Sequence, residues 1–564
     1  MGAKGTDGAA AHAQDLRLGG GAPAVEARLA RFAADSFGRR LWEKDPTLWS
    51  AQPVPELADR LGWLELPRSA RASLPELARF AGEAREEGAR HAVVLGMGGS
   101  SLAPEVFART FGHPGAGSLE VRVLDSTHPD AVAALERDID PGGGPARSLF
   151  LVSSKSGGTT ETLSYFYTFW ERVKAAGEVR PGRRFAAITD PGTSLAALGR
   201  ERGFRAVFEA PPDVGGRYSA LTPFGVVPAA LAGVDLGELL ARARAAAEAC
   251  GPAVPPGESP GLVLGAAMGE LARAGRDKLT LYTSPAIRSF PDWLEQLIAE
   301  STGKSGTGIV PVAGEPLGAA AAYGDDRFFV ALLVDGDSDP ALDRHLDALE
   351  AAGHPIARLR LADPLDLGYE IFRWEVAVAA AGAVLGIHPF NQPDVQLAKE
   401  LAKKAMQAGD AGAGASKAIP AAEPAALAPA LADFLAAAKP GGYLGIHAYL
   451  APSGALSASL HRIQGALRDR TRLATTFGYG PRFLHSTGQL HKGGPAGGCF
   501  LQLVDRPTQA MPVPETDYTF AALIAAQARG DRSALEQRGR RVLTLDLDGD
   551  VAGGIAALAE ALQG

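Results

Sequence analysis

The stretch Ser154-Lys155-Ser156-Gly157-Gly158-Thr159-Thr160-Glu161-Thr162 is the most informative part of this chain. An apolar run over Ser148–Ser153 precedes it and predicts a buried strand, and a helical pattern follows it. Glycines let a backbone approach a ligand closely, hydroxyls donate hydrogen bonds, and a helix N-terminus offers free N–H groups. The stretch therefore suits a phosphate monoester, although the same residue types also build ordinary turns.

The composition is that of an acidic globular protein. The chain has 564 residues, 46% of them hydrophobic, and a net charge of −8, which is long enough for roughly three or four domains. The absence of a basic stripe argues against a nucleic-acid partner. No apolar run reaches membrane-spanning length, and the polar N-terminus lacks the apolar core of a signal peptide. Cys250 and Cys499 suggest neither a disulfide framework nor a metal cluster, so a cytoplasmic location is expected.

The order of the sequence patterns predicts an α/β protein with two doubly wound parallel-sheet domains and a smaller α/β C-terminal extension. Strand and helix patterns alternate through residues 91–250 and again through residues 251–407, as in parallel sheets. Residues 1–24 are expected to form a disordered leader, residues 25–90 a helical segment, residues 408–438 an Ala/Pro-rich linker and residues 439–564 the extension. The predicted strands are His91–Leu95, Glu120–Leu124, Ser148–Ser153, Arg184–Ile188, Arg205–Phe208, Lys278–Tyr282, Gly308–Val312, Arg327–Val334, Ile356–Leu361, Tyr443–Leu450, Cys499–Val504 and Arg541–Leu547.

A second glycine-rich turn, Gly96-Met97-Gly98-Gly99-Ser100-Ser101, follows the first predicted strand of the alternating section. A dinucleotide fingerprint is the competing interpretation, because Gly96 and Gly98 fit it and Asp125 follows the next strand. Ser101, however, stands where that fingerprint needs its third glycine. A turn whose backbone N–H groups face a sugar or a phosphate fits better.

Two further segments carry charged groups near predicted helix ends. Arg217 follows two glycines after the last strand of the first domain, where a surface arginine is the plain alternative. The predicted helix that starts at Pro291 places Gln296 and Glu300 four residues apart on one face. Glu300 lies in its last turn, where the helix dipole disfavours the charged carboxylate, and this placement suits a general base.

A fifth segment, Phe390-Asn391-Gln392-Pro393-Asp394, begins another predicted helix. Pro393 suits the first helical position. Lys399 follows Gln392 by about two helical turns, so both side chains are expected to lean towards one site.

These five segments, in this order, resemble the phosphoglucose isomerase family, which is built on paired sugar-isomerase (SIS) domains. The resemblance runs from about Leu41 to Met406. The tail, including residues 477–494, is similar to the isomerase half of bifunctional transaldolase/phosphoglucose isomerase fusions. A transaldolase barrel needs ~250 residues, and no such length precedes the motifs, so transaldolase activity is not expected.

The resemblance implies reversible isomerisation of glucose 6-phosphate and fructose 6-phosphate through a cis-enediol, with neither a metal nor an organic cofactor. Glu300 would be the base, Arg217 would lie near the enediolate, and Lys399 would help to open and close the sugar ring. The family also implies a homodimer in which a second subunit completes the site. The implied substrate contacts are Gly99, Ser100, Ser154, Lys155, Ser156, Thr159, Thr160, Gly216, Gln296 and Gln392.

One departure concerns the ring-opening histidine, which in this family usually comes from the second subunit. The corresponding stretch here, residues 314–324, contains no histidine. Either spontaneous ring opening suffices or another group donates the proton, and His388, His485 and His491 are the candidate substitutes, each with an ordinary structural role as its alternative. Our hypothesis is that the tail folds back over the site and that His485 or His491 assists.

Three other functions stay open on the sequence alone. A dual phosphoglucose/phosphomannose isomerase would differ only in facial control at C2. A non-catalytic sugar-phosphate regulator would keep the Ser154–Thr162 turn but would not need Glu300 or Lys399. A degenerate isomerase would have lost activity with its histidine.

Overall fold

In the part of the chain that the structure describes, the strands form three five-stranded sheets. The computed structural model describes residues 12–112, 118–394, 400–402, 404, 406 and 418–563. In chain order the strands are β1 (Gln14–Arg17), β2 (His91–Gly96), β3 (Glu120–Leu124), β4 (Ser148–Ser153), β5 (Phe185–Thr189), β6 (Ala206–Glu209), β7 (Lys278–Thr283), β8 (Val310–Val312), β9 (Arg327–Val334), β10 (Ile356–Leu361), β11 (Ile419–Pro420), β12 (Tyr443–Tyr449), β13 (Ala474–Tyr479), β14 (Gly498–Val504) and β15 (Arg541–Asp546).

The helices that cover these sheets are mostly three or four turns long. They are α1 (Ala22–Ala34), α2 (Phe37–Trp42), α3 (Leu66–Ser69), α4 (Leu74–Glu86), α5 (Leu102–Phe111), α6 (Pro129–Ile139), α7 (Thr160–Ala175), α8 (Ser194–Glu201), α9 (Pro223–Leu231), α10 (Leu236–Ala249), α11 (Pro260–Arg273), α12 (Phe290–Thr302), α13 (Pro340–Ala351), α14 (Leu367–Leu385), α15 (Pro424–Ala436), α16 (Gly454–Thr471), α17 (Gly488–Gly493), α18 (Phe520–Gln537) and α19 (Val551–Gln563). Short 3₁₀ turns lie at Gly98–Ser100, Gly216–Tyr218 and Arg482–His485.

The first two sheets confirm the predicted pair of doubly wound domains. Their strand orders are β3-β2-β4-β5-β6 and β1-β10-β9-β7-β8. Among the described residues every pairing in these sheets is parallel except that of β1 with β10. All six residues of β2 and of β4 are buried, as expected for parallel strands covered by helices on both faces.

Two helices of the body, α11 and α14, pack closely against each other, and glycines set their spacing. α11 presents Gly261, Gly265 and Gly269, four residues apart, to α14. A Cβ added at Gly265 would lie 2.5 Å from the carbonyl oxygen of Ala377 on α14, which is closer than real atoms approach. α14 in turn packs against α12, the helix that carries Gln296 and Glu300. Residues 12–394 are called the body below.

The C-terminal extension is α/β as predicted, and its sheet is as large as the other two. The order is β11-β15-β14-β12-β13, and every pairing in it is parallel. Residues 418–563, called the C-terminal domain below, have their own apolar core. They also pack on the body: Met511, Val513 and Phe520 join the core beneath α7, and Leu490 packs with Ala299 of α12.

Described parts of the expected leader and of the expected linker form regular structure. Residues 14–17, placed in the expected leader, form β1 and pair antiparallel with β10, and α1 starts at Ala22. The polar sequence of β1 does not predict a strand. Its extended form is stabilised by the pairing with β10, which is a tertiary contact and leaves no local pattern. Within the expected linker, β11 pairs with β15, and α15 buries Leu427, Leu431 and Phe434 against the C-terminal core.

No helix in the described ranges is both long enough and apolar enough to cross a bilayer.

Candidate active site

The glycine turn after β2 is the meeting point of three distant segments. Gly98 has a left-handed φ of +56°, and a Cβ on it would lie 2.5 Å from the carbonyl oxygen of His485. A Cβ on Gly99 would lie 2.1 Å from the carbonyl oxygen of Gly216. Only glycine fits at both positions, because each faces another backbone directly. The turn therefore brings Gly99, Ser100, Gly216 and the tail together, as a shared site requires.

The turn after β4 has the form expected of an anion-binding turn. Gly157 adopts a φ of +73°, and the Oγ of Ser154 lies 2.8 Å from the Oγ1 of Thr159. Helix α7 begins at Thr160, and no side chain caps its N-terminus. Ser156 and Thr160 are exposed. The first-turn N–H groups of α7 and these hydroxyls lie at the carboxyl end of the sheet, where an anionic ligand is favoured.

Lys155 differs from the other residues of this turn. Its Nζ donates to the Oδ2 of Asp190 at 2.5 Å and to the carbonyl oxygen of Pro212 at 3.4 Å. Burial raises the pKa of Asp190, and the lysine opposes that shift. The structure thus pairs the Lys155 ammonium with a carboxylate, and among the described residues no hydrogen bond joins that ammonium to Ser154, Ser156 or Thr159.

Glu300 lies at the C-terminal end of α12, where it meets two of the predicted partners. The Nε2 of Gln296, one turn earlier, donates to Oε2 of Glu300 at 3.2 Å. The guanidinium of Arg217 lies 3.5 Å from the same oxygen. Glu300 is 9% exposed and Arg217 only 2%. Carboxylate, amide and cation therefore lie together in one largely water-excluded place.

Arg217 is held by a set of oxygen acceptors that fixes its plane. Its Nε donates to the Oγ of Ser301 at 2.8 Å and its terminal nitrogens donate to the side-chain oxygen of Gln392 at 3.0 Å and the carbonyl oxygen of Pro389 at 2.6 Å. A further bond reaches the carbonyl oxygen of Asn391. Because most of these acceptors are neutral, the positive charge stays available to a developing anion.

His485 reaches this site from the C-terminal domain. Its carbonyl oxygen accepts a hydrogen bond of 2.8 Å from the Nε2 of Gln296. Its ring Nε2 lies 3.0 Å from Oε1 of Glu161, so Nε2 carries the proton and donates to the carboxylate. Among the described residues, Nδ1 of His485 has no hydrogen-bond partner. The tail thus lies against the site, as hypothesised.

The other two candidate histidines have structural surroundings. His491 is buried with its Nδ1 3.0 Å from the hydroxyl of Tyr443, and burial lowers its pKa well below the usual range. His388 donates from Nε2 to Pro55 and accepts the N–H of Phe390 at Nδ1, and burial lowers its pKa to about 4. The structure places neither ring in contact with Glu300.

Lys399 lies outside the described residues, so its predicted place beside Gln392 stays a prediction.

The sequence did not reveal several residues that contact the site in the structure. Glu161 belongs to the predicted phosphate turn, and its only local signal is that of an acidic residue in the first turn of a helix. Ser301 follows Glu300 directly but carried no separate signal. Gln527 and Thr127 complete the surroundings of Glu161 from 366 and 34 positions away along the chain, and no sequence pattern links them.

Known proteins are similar to this chain in sequence and in fold. The sequence profile of the family described as Phosphoglucose isomerase matches residues 79–313. A glucose-6-phosphate isomerase of Rubrobacter xylanophilus is 31% identical, over 64% of this chain and 93% of that enzyme. One of Thermus thermophilus is 30% identical, over 62% of this chain and 91% of that enzyme.

Solved structures agree in fold. A hypothetical protein from Thermus thermophilus superposes with a TM-score of 0.58 at 27% identity, over 69% of this chain and 99% of that one. A glucose-6-phosphate isomerase from Chlamydia trachomatis gives a TM-score of 0.51 at 21% identity, over 67% and 79% of the two chains, which supports the fold alone. The sequence relatives are matched over nearly their whole length, and the chain therefore belongs to the phosphoglucose isomerase family of enzymes.

Proposed function

We propose that this chain interconverts glucose 6-phosphate and fructose 6-phosphate, with Glu300 as the base. The observation that carries the proposal is the placement of Glu300 3.5 Å from Arg217, beside the glycine turn after β2. A carboxylate and a fixed guanidinium in a largely dry site are what proton abstraction next to a carbonyl needs. A sugar-phosphate regulator has no use for this pair, and membership of an enzyme family supports catalysis.

The phosphate of the substrate would sit on the turn after β4. Ser154, Ser156, Thr159 and Thr160 offer hydroxyls there, and the N-terminus of α7 offers N–H groups and a partial positive charge. Binding energy from this remote group would hold C1 and C2 of the opened sugar near Glu300.

The chemical step moves one proton between neighbouring carbons. Glu300 takes the proton from C2, the electrons of that C–H bond form the C1=C2 double bond, and O1 takes up negative charge. Arg217 stabilises this enediolate. Glu300 then returns a proton to C1, O2 loses its proton as the C2 carbonyl forms, and O1 ends as a hydroxyl. No electrons leave the substrate, so no redox partner is consumed.

The cyclic sugar must open before this step. In the proposed scheme Nδ1 of His485, the nitrogen that Glu161 does not hold, takes the proton from the anomeric hydroxyl as the bond between C1 and the ring oxygen breaks, and returns that proton to the ring oxygen. The family resemblance implies that Lys399 also helps to open and close the ring.

The test is the conversion of fructose 6-phosphate by Glu300→Gln. Loss of the base should lower kcat by about 10²- to 10⁴-fold, while the affinity for the sugar phosphate should change little. Glu295→Gln is the matched control, because it makes the same carboxylate-to-amide change on α12 at a residue that no hydrogen bond or ion pair among the described residues joins to Arg217. Activity should be kept there.

Two results would contradict the proposal. Glu300→Gln retaining more than a tenth of the activity would remove Glu300 as the base. A wild-type chain that binds the sugar phosphate without converting it would favour the regulator instead.

A further inference from the structure

A buried hydrogen-bond chain runs from the C-terminal domain to Glu161. Gln527, on α18, is 5% exposed, and its Nε2 donates to Oε1 of Glu161 at 2.7 Å. Its own Oε1 accepts a bond of 2.6 Å from the hydroxyl of Thr127, which is fully buried. Each half of the amide of Gln527 is thus used, and the side chain has one favourable orientation.

Gln527 and His485 share one acceptor atom. The Nε2 of His485 lies 3.0 Å from Oε1 of Glu161, the same oxygen that Gln527 binds. The position of that oxygen decides how the imidazole ring of His485 is turned. Since these groups are largely shielded from water, loss of one donor is not readily made good by solvent.

The segment around His485 is fastened on both sides by ion pairs. Before it, Arg482 pairs with Glu105 and with Asp125 of the body. After it, Lys492 pairs with Asp531 at 2.6 Å. Asp531 is one turn beyond Gln527 on α18, so one face of this helix holds both Glu161 and the segment that follows His485.

We propose that Gln527 is a positioning residue for ring opening: by holding Glu161 it orients the imidazole of His485 towards the sugar. The C-terminal domain then provides, within one chain, the ring-opening group that the family resemblance assigns to a second subunit. This inference rests on the proposed function of His485. Gln527 touches no reacting atom and acts through Glu161 alone.

Ring opening is measured separately from isomerisation by working in the Glu300→Gln background. Opening and reclosing of glucose 6-phosphate exchanges its α and β anomers, and magnetisation-transfer NMR reports the rate of that exchange on the full-length protein. In this background we expect His485→Gln to lower the protein-catalysed exchange by about 100-fold. Gln527→Leu should lower it about tenfold, and the Kd for glucose 6-phosphate should stay within twofold.

The control is Gln464→Leu, a buried glutamine of the same domain whose amide donates to the carbonyl oxygens of Ala313 and Thr475. It should lower stability to a similar extent and leave anomer exchange unchanged. If Gln527→Leu does not fold, Thr127→Val serves instead. That variant removes only the hydroxyl that fixes Gln527, and it should lower exchange about threefold.

The outcomes separate the two proposals. If His485→Gln leaves exchange unchanged, the ring-opening role of His485 is wrong. If His485→Gln lowers exchange but Gln527→Leu, or Thr127→Val in its place, does not, the positioning role is overturned while the function stands. An equal loss of exchange in Gln464→Leu would also overturn it, because the effect would then be one of general stability.

Discussion

The body and the C-terminal domain both contain five-stranded parallel sheets, yet they serve the site in different ways. In the body, the strand ends carry glycine and hydroxyl turns, and α12 presents Glu300 to them. The C-terminal domain buries some polar groups among themselves, as in the pairing of Asp531 with Lys492 and His447. It also reaches Glu161 of the body with His485 and Gln527. The family profile covers residues 79–313 and no part of the C-terminal domain. Similar architecture therefore need not imply a similar role.

The largest effect that would sharpen this contrast is expected in the body, from Arg217→Lys. Lysine keeps the charge but not the planar fork that binds Ser301, Gln392 and Pro389. We expect kcat to fall by about 10²- to 10³-fold with a smaller change in KM, because the proposed role of the guanidinium is to stabilise charge that develops in the transition state.

Steady-state kinetics with fructose 6-phosphate would measure this effect. Arg288→Lys provides the control, since Arg288 is exposed and has no ion pair among the described residues. An undiminished kcat in Arg217→Lys would mean that only the positive charge at this position matters and not the planar guanidinium. The expectation that precise geometry in the body carries catalysis would then be wrong.

A middle-sized effect is expected at the seam between the regions, where His345 of the body lies near Arg468 of the C-terminal domain. The ring Nε2 of His345 is 3.3 Å from the hydroxyl of Tyr282, and burial, followed by Arg468, lowers its pKa to about 4. The unfolded chain binds this proton near pH 6.5 and the folded chain only near pH 4. His345 therefore contributes stability above pH 6.5, and that contribution is lost as the pH falls towards 4.

Denaturant unfolding of wild type and His345→Gln between pH 7 and pH 4 checks this expectation. The stability advantage of the wild type should shrink by about 2–3 kcal/mol over the range. An advantage that does not vary with pH would show that His345 titrates alike in the folded and unfolded chains.

The smallest effect is expected at the rim of the contact between the two regions. Arg202 of the body makes a two-pronged ion pair with Glu515 of the C-terminal domain, at 2.8 and 3.1 Å, where both side chains are substantially exposed. Glu515→Gln should cost only about 0.5 kcal/mol in unfolding free energy. A loss above about 2 kcal/mol would contradict the view that buried contacts, such as Leu490 with Ala299, join the regions.

Most strands of the body could be predicted closely because they are apolar runs or alternate apolar with polar residues. The predicted bounds of β3, β4, β9 and β10 agree with the structure residue for residue. β13 was missed because Ala474–Tyr479 mixes small, polar and aromatic residues with a glycine. It owes its form to pairing with β12, which is not a local property.

The residues of the candidate site also fall into a group that could be predicted from the sequence and a group that could not. Residues of local motifs, such as Glu300 and Gln296, could be found from spacing on one helix. The hydrogen bond of Thr127 to Gln527 joins residues 400 positions apart, and neither residue lies in a recognisable motif. Contacts between chain-distant residues arise from tertiary packing, which no single-sequence pattern encodes.

The edges of the second sheet have a consequence for the behaviour of the protein at high concentration. One edge is occupied by β1, whose antiparallel pairing covers the backbone of β10. The opposite edge strand, β8, has only three residues, and the middle one is Pro311, which has no N–H to offer an incoming strand. Removal of residues 12–17 would uncover the β10 strand Ile356–Leu361 and leave it open to strand addition by another molecule. The pairing of β1 with β10 thus closes a sheet edge that would otherwise be open to strand addition and aggregation.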